Sequence, residues 1–314
     1  MKPNMNSLKN SASNLNMNSK TIFLIGFLLF FFACDNSLEE DKKYSEISSI
    51  ESYISGNNWT YEVKDDVYHV IKDKYYGYQL NYGDTILFWY KGYTIKSPIV
   101  VFDTNIKDEA LAAKLDTSVR SLEPFRAIIG KTSLLKGLEK GLLLCRENES
   151  TTILFPSNLG YKDNTMGPVE PWSSLAFDVE IIYHNGPGKV NEQNIINSLN
   201  LDGYKQHSSG LYYKITTNTG LATPTENDTI YGQYEVKTLS GITIESNKAN
   251  SDEPIALSSL DLEALKIGFT LTTTGGSLEI IAPSPLAYGK EGNDIVDPYT
   301  PVEVIVKLDS IKNN

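Results

Sequence analysis

Residues 83–103 read GDTILFWYKGYTIKSPIVVFD. Gly83-Asp84-Thr85 opens an alternating run that reaches Tyr90, and Phe102-Asp103 follows a short turn. Such alternation, rich in aromatic and branched residues, predicts a half-buried strand. Downstream come Pro124-Phe125, the run GKTSLLKGLEKG from Gly130 to Gly141, FPSNLGY from Phe155 to Tyr161, and LAFDVEI from Leu175 to Ile181. Upstream, Ile47, Ile50, Tyr53 and Ile54 stand at helical spacing before Gly56, and Val67–Ile71 alternates as a strand.

Parts of this order return. Asp84-Thr85-Ile86 recurs 144 residues later as Asp228-Thr229-Ile230, and PSNLGY at Pro156 recurs 127 residues later as PSPLAY at Pro283. Ile195-Ile196 fall in a second candidate helix, and residues 210–215 form a second candidate strand leading to Asp228. Two long copies are an internal duplication with a shortened second member, not a solenoid. The boundary falls at Asn185-Gly186-Pro187-Gly188, a turn-rich break. Short strands, frequent turns and one good helical stretch per copy predict an α+β fold with antiparallel sheets.

The ends carry sorting information. Lys20 precedes an apolar stretch, Ile22–Ala33, too short to span a bilayer comfortably. It ends in Phe31-Phe32-Ala33-Cys34, which resembles a bacterial lipobox with unusually bulky residues. Residues 1–33 are therefore expected to be a lipoprotein signal peptide, with Cys34 the lipidated first residue of the mature chain. Met17 is an alternative start. Residues 34–45 read as an acidic tether; Glu39-Glu40-Asp41 resembles the export signals of Bacteroidetes surface lipoproteins, and is equally explained as a solvated linker. The expected location is the cell envelope, with the chain lipid-anchored on the periplasmic face of the outer membrane or on the cell surface.

Charge and chemistry exclude several classes. The chain carries a net charge of −11, and removing the leader takes away Lys2, Lys9 and Lys20 but no acid. That balance excludes a nucleic-acid partner, which needs clustered cations. With two cysteines, Cys34 and Cys145, there is no disulfide framework. Cys145 follows three leucines and is expected in a buried strand as a small core residue. His69, His184 and His207 lack metal-ligand spacing, so neither a metal nor a cofactor is expected.

The five segments from Gly83 to Ile181 resemble, in order and spacing, the FKBP-type peptidyl-prolyl isomerases. The resemblance implies two FKBP-like domains, 46–185 and 186–314, each a curved antiparallel sheet around a short helix, the first helix near Leu134–Leu142. It also implies a pocket lined by Tyr90, Phe102, Asp103, Phe125, Leu134, Leu135, Leu138, Tyr161, Val169 and Phe177. In the family, the Tyr161 position offers a hydroxyl to the bound peptide's carbonyl, the Leu135 position offers a backbone N–H, and the Asp103 position makes polar contacts on the wall. Leu138 stands where many members place a Trp, and Lys162 where a Gly usually follows the Tyr. A long insert between Phe102 and Pro124 carries a helical stretch, Asp108–Leu115, at the rim; it is a substrate flap or a surface elaboration.

Such a pocket suits its implied reaction. Rotation about an X–Pro bond meets a barrier of roughly 20 kcal/mol from amide resonance, and lowering it needs no nucleophile. A dry apolar pocket favours the twisted amide, which has lost charge separation. In the second unit Tyr234 and Tyr288 match, but Ile244-Glu245, Ile255, Leu265 and Val304 replace the Phe-Asp pair and the other pocket residues, so that pocket is expected to be degenerate. The implied activity is isomerisation of prolyl bonds in unfolded or exported proteins. The alternative is a non-catalytic chaperone or assembly scaffold on the same fold. Some gliding-motility-associated lipoproteins look similar, but no residue here establishes that role.

Overall fold

The computed structural model describes residues 39–72, 75–250 and 252–312. The expected signal peptide, residues 1–33, and Cys34 lie outside the described residues. Two seven-stranded antiparallel sheets follow one another along the chain. The first contains β1 (Thr60–Lys64), β2 (Val67–Ile71), β3 (Thr85–Thr94), β4 (Val101–Thr104), β5 (Phe125–Ile128), β6 (Ser150–Phe155) and β7 (Leu175–Asn185). Its order is β1-β2-β6-β7-β3-β4, with β5 paired to the start of β3. The second contains β8 (Lys205–Gln206), β9 (Tyr212–Thr217), β10 (Thr229–Thr238), β11 (Thr243–Ser246), β12 (Ile255–Ala256), β13 (Ser277–Ala282) and β14 (Val302–Ile311). Its order, β8-β9-β13-β14-β10-β11 with β12 on β10, repeats the first strand for strand.

The duplication extends to irregularities. Both long central strands carry a register shift on their C-terminal neighbour, between Leu87 and Phe88 in β3 and between Tyr231 and Gly232 in β10. A second shift falls between Gly92 and Tyr93, and again between Val236 and Lys237. Bulges at these points bend and twist the strands, which curves each sheet around its helix. That helix is α3 (Lys136–Leu142) in the first unit and α5 (Glu263–Leu271) in the second. Gly141 and Gly268 allow the approach: an added Cβ would sit 2.2 Å from Ile153 and 2.6 Å from Ile280.

Alternation along the first sheet feeds two cores. Val67, Phe88, Ile153, Phe155, Phe177 and Val179 point toward α3. Tyr68, Val70, Tyr93, Leu154 and Ala176 point the other way and receive Ile50 and Ile54 of a helix covering residues 39–56, here α1. The helix predicted around 47–54 therefore starts earlier, and residues 39–45, expected to be tether, form its first turns, from which Glu39, Lys42 and Lys43 reach Lys162, Trp172 and Asp66. The insert between β4 and β5 holds α2 (Lys107–Ala112), shorter than predicted, and a 3₁₀ turn at Thr117–Val119. Cys145 is fully buried as expected, but in the turn after α3 and not in a strand.

Between the units runs α4 (Pro187–Asn197), started by Pro187 at its first turn. The junction is polar. Lys189 of α4 pairs with Glu147, and Asn81 donates to the Tyr299 hydroxyl. A cleft of about 630 Å³ opens there, lined among others by Tyr75, Tyr78, Ile196, Tyr212 and Pro283. Among the described residues, no helix is long and apolar enough to cross a membrane.

Candidate functional site

The first sheet's concave face and the start of α3 enclose a nest of rings. From β3, alternate residues Phe88, Tyr90 and Gly92 face inward, while β4 adds Phe102, β5 adds Phe125 and β7 adds Phe177. Tyr90 lies edge-on to Phe125 at 6.2 Å and tilted against Phe177 at 6.3 Å. Phe102 meets Phe177 at 5.7 Å and Tyr161 at 6.1 Å, both edge-on. Edge-to-face contacts of this spacing fix ring orientation beyond what burial alone does. Leu134, Leu135, Leu138 and Val169 complete the lining; Leu135 is the N-cap residue of α3, and Leu138 and Val169 are buried. The structure thus brings all nine apolar or aromatic residues named from the sequence into one cluster, with Asp103 at its edge.

Gly92 makes the arrangement possible. It pairs across the ladder with Phe177, and an added Cβ would lie 2.8 Å from the Phe177 ring and 2.9 Å from Phe102. Only a residue without a side chain lets both rings meet over β3. Sequence reading passed over it, since a strand glycine looks like a mere weakness.

The polar side of the pocket is a network. The Tyr90 hydroxyl donates to Asp103 Oδ2 at 2.9 Å, and Arg120 pairs with Asp103 Oδ1. Burial, then the Asp103 charge, pushes the Tyr90 hydroxyl well above its usual pKa; the same two causes raise Tyr161. Both phenols therefore remain protonated donors across the physiological range. Arg120 was not identified from the sequence. It comes from the insert, just past the 3₁₀ turn, so the insert supplies a residue to the site in addition to whatever surface it makes. Asn105 was missed as well: its amide oxygen accepts from Tyr90 N at 2.7 Å, and its amide nitrogen donates to Phe88 O at 3.0 Å, pinning β3 at the bulge.

Sequence spacing gave no metal pattern, yet the fold brings His69, Cys145 and Glu149 within 4.8 Å of one another, all buried. Imidazole, thiol and carboxylate are zinc-type donors. Here each already has a protein partner. His69 Nδ1 meets Glu62 at 3.0 Å and Nε2 meets Glu149, which also accepts from Arg146 N at 2.7 Å. Cys145 Sγ donates to Gly141 O at 3.3 Å, and burial followed by the Glu149 and Glu62 charges pushes its pKa far up. A neutral thiol of this kind is no nucleophile.

In the second unit the corresponding strand position carries a side chain. Val236 occupies the place of Gly92 and pairs with Val304, the counterpart of Phe177. Tyr234, Ile244, Ile255 and Tyr288 remain partly buried against the core. The Tyr288 hydroxyl is buried with no hydrogen-bond partner among the described residues, and burial with the Glu245 charge pushes it up to about 12. Glu245 has its own pKa raised by burial and by Asp261; the nearby Lys248 pairs instead with Glu235.

Residues 77–182 match the family model described as FKBP-type peptidyl-prolyl cis-trans isomerase. The probable FKBP-type peptidyl-prolyl cis-trans isomerase FkpA of Neisseria meningitidis is 33% identical over 108 residues, 34% of this chain and 40% of that protein. The chain thus spans less than half the length of that relative. FK506-binding protein 2 of Aspergillus oryzae is 27% identical over 107 residues, covering 34% of this chain and 69% of that one. Among solved structures, FkpA from Escherichia coli aligns with a TM-score of 0.33 at 24% identity, over 40% of this chain and 57% of that one.

Proposed function

Because residues 77–182 belong to the FKBP-type peptidyl-prolyl cis-trans isomerase family, we propose that the first unit isomerises X–Pro bonds in unfolded or exported proteins, while the second is a non-catalytic partner. The observation that carries this reading is the pocket itself: an aromatic nest over Gly92 whose one wall carboxylate, Asp103, is held by Tyr90 and Arg120. A proline ring entering the nest loses water, and its twisted amide gains from the apolar lining. The protonated Tyr161 hydroxyl at the rim is available to the peptide carbonyl. Asp103, already paired, presents little free charge to repel that carbonyl. No atom is transferred, so binding the twisted form more tightly than the planar one suffices.

The test is a prolyl isomerisation assay on the chain from Asp35 onward, across several residues preceding proline. Phe102→Ala and Asp103→Ala are each expected to lower kcat/KM by about tenfold or more, about 1.4 kcal/mol of lost transition-state binding, with circular dichroism unchanged. No turnover in the native chain would remove the catalytic reading.

A scaffold or chaperone reading is favoured by one observation of its own, the tyrosine-lined cleft between the units. It expects binding of unfolded clients without turnover. We further propose that the protein sits in the cell envelope, anchored through lipidated Cys34. The lipobox-like Phe31–Cys34 and the acidic remainder of the chain support this, and mass spectrometry of the N-terminal peptide from membranes tests it.

A further inference from the structure

We propose that α1 is a working part of the site, a brace through which Glu46 positions the loop that carries Tyr161. This rests on the isomerase reading of the first unit. Glu46 lies 111 residues before Ser157, yet its carboxylate accepts two hydrogen bonds from it, one from the backbone N–H at 2.5 Å and one from the hydroxyl at 2.8 Å. Ser157 begins the 3₁₀ turn Ser157–Leu159, and its carbonyl in turn accepts from Gly160 N at 2.9 Å and Lys162 N at 2.8 Å. Tyr161 lies between those two donors, so the carboxylate that fixes Ser157 fixes the backbone on both sides of the tyrosine.

Two more contacts from the same helix reach the same loop. Lys162 Nζ pairs with Glu39 at 2.8 Å, and Lys42 Nζ lies 4.1 Å over the ring of Trp172. Trp172 N closes the loop by donating to Lys162 O at 2.6 Å. The helix has a firm base to push against, since Ile50 and Ile54 are buried on the sheet's outer face.

The device recurs in the second unit, which argues that it belongs to the architecture and is not incidental. Glu192 of α4 accepts from the Ser284 N–H at 2.6 Å and from its hydroxyl at 2.6 Å. Ser284 O accepts from Gly289 N at 2.8 Å, and Tyr299 N donates to Gly289 O at 3.1 Å, bracketing Tyr288 as the first brace brackets Tyr161. Each unit therefore begins at its leading helix. In the first unit the braced tyrosine meets Phe102 of the aromatic nest edge-on at 6.1 Å, and a displacement of its hydroxyl by a fraction of an ångström is costly to a reaction that depends on placement.

A double-mutant cycle separates positioning from general stability. Glu46→Ala is expected to lower kcat/KM by about tenfold, chiefly through kcat, as a small misplacement of a contacting group does. Tyr161→Phe should lower it by a similar factor, and the double variant should be no worse than Tyr161→Phe alone. Glu46→Gln, which keeps one acceptor oxygen, should recover part of the loss. Hydrogen exchange supplies a readout independent of turnover: the Gly160 and Lys162 amides should lose protection in Glu46→Ala while those of β7 keep theirs. Effects that multiply in the double variant, or loop amides that do not change, would overturn the brace. A native chain without turnover would instead overturn the isomerase reading, and the exchange experiment would still decide whether Glu46 holds the loop.

Discussion

The two units share a backbone and differ in where they put volume. In the first, β3 gives up its side chain at Gly92 and the space goes to Phe102 and Phe177. In the second, Val236 fills that space from the strand, and the partners shrink to Ile244 and Val304. The helix contact differs as well. Gly137 of α3 accommodates Phe155, whose ring would lie 2.2 Å from an added Cβ, whereas the buried Ala264 and Ala282 stand at those two positions in the second unit. Phe88 and Leu142 share the first core; in the second unit Gly232 stands at the Phe88 position, where an added Cβ would lie 3.1 Å from the Phe269 ring. Total volume is roughly conserved only where Gly92, Phe102 and Phe177 give way to Val236, Ile244 and Val304; that exchange trades rings for branched aliphatic side chains while the space stays filled.

Two polar devices, by contrast, are found in both units. Asn105 and Asn247 each accept from a tyrosine N–H at 2.7 Å, at Tyr90 and Tyr234. Asp84 and Asp228 each cap the residue three before, at 2.8 and 2.7 Å. Asn105 also satisfies the buried Phe88 carbonyl, and losing such a partner costs about 1–3 kcal/mol. The difference teaches that the residues common to both units hold the backbone, while the aromatic nest of the first is set by other residues.

The largest effect expected from breaking the comparison lies at a feature the second unit lacks. Behind the first pocket His69 sits between Glu62 and Glu149; in the second unit Tyr213 and Thr272 stand at the His69 and Cys145 positions. Burial opposes charge on His69, but the hydrogen bond and charge of Glu149, joined by Glu62, outweigh it and raise its pKa above 6.5. A raised folded value means the stabilisation is fully present below about pH 6.5. It fades as pH rises through the folded pKa. His69→Gln leaves Glu149 buried without its cation and should cost about 3–5 kcal/mol at pH 6, with the gap from the native chain narrowing toward pH 9. All three tryptophans, Trp59, Trp89 and Trp172, lie in the first unit, so their fluorescence in a denaturant series reports this unit alone. A gap independent of pH would show that His69 is neutral in the fold.

Next in size is the transplant that converts one unit's strand into the other's. Gly92→Val places the Val236 side chain where Phe102 and Phe177 now meet. Overpacking of this kind costs about 1–3 kcal/mol, and displacement of both rings should lower kcat/KM about 100-fold, near 2.7 kcal/mol. Retained activity would mean that the aromatic nest is core and that the reaction is done elsewhere.

These contrasts also mark what the sequence could reveal. Strand alternation, the repeated Asp-Thr-Ile and the two PSxLxY segments made the duplication and the antiparallel sheets legible, because local periodicity and turn chemistry are written in consecutive residues. The pocket residues came from matching five segments to a family pattern. Arg120, Gly92 and Glu46 stayed hidden for a common reason: each acts on a partner far along the chain, and its identity alone does not name that partner. An arginine in an insert, a glycine in a strand and a glutamate in an acidic helix each have an ordinary explanation until the fold supplies the second residue. The same holds for His69 and Glu149, 80 residues apart and in contact.

The smallest expected effect is the most discriminating about the loop. Lys162 and Gly289 occupy the same place after their tyrosines, with φ of 55° and 65°. Glycine takes that conformation at no steric cost, while a lysine there is strained by about 1 kcal/mol. Lys162→Gly removes the strain but also the half-exposed pair with Glu39, worth about 0.2–1 kcal/mol, and it loosens the unfolded chain by a further 0.4–1 kcal/mol or about that. The terms nearly cancel, so stability by tryptophan-detected unfolding should stay within about 0.5 kcal/mol. A loss well beyond that would mean the Lys162–Glu39 contact is stronger than a surface pair. The first unit would then keep a strained lysine, where its sister has glycine, because the contact to α1 outweighs the strain.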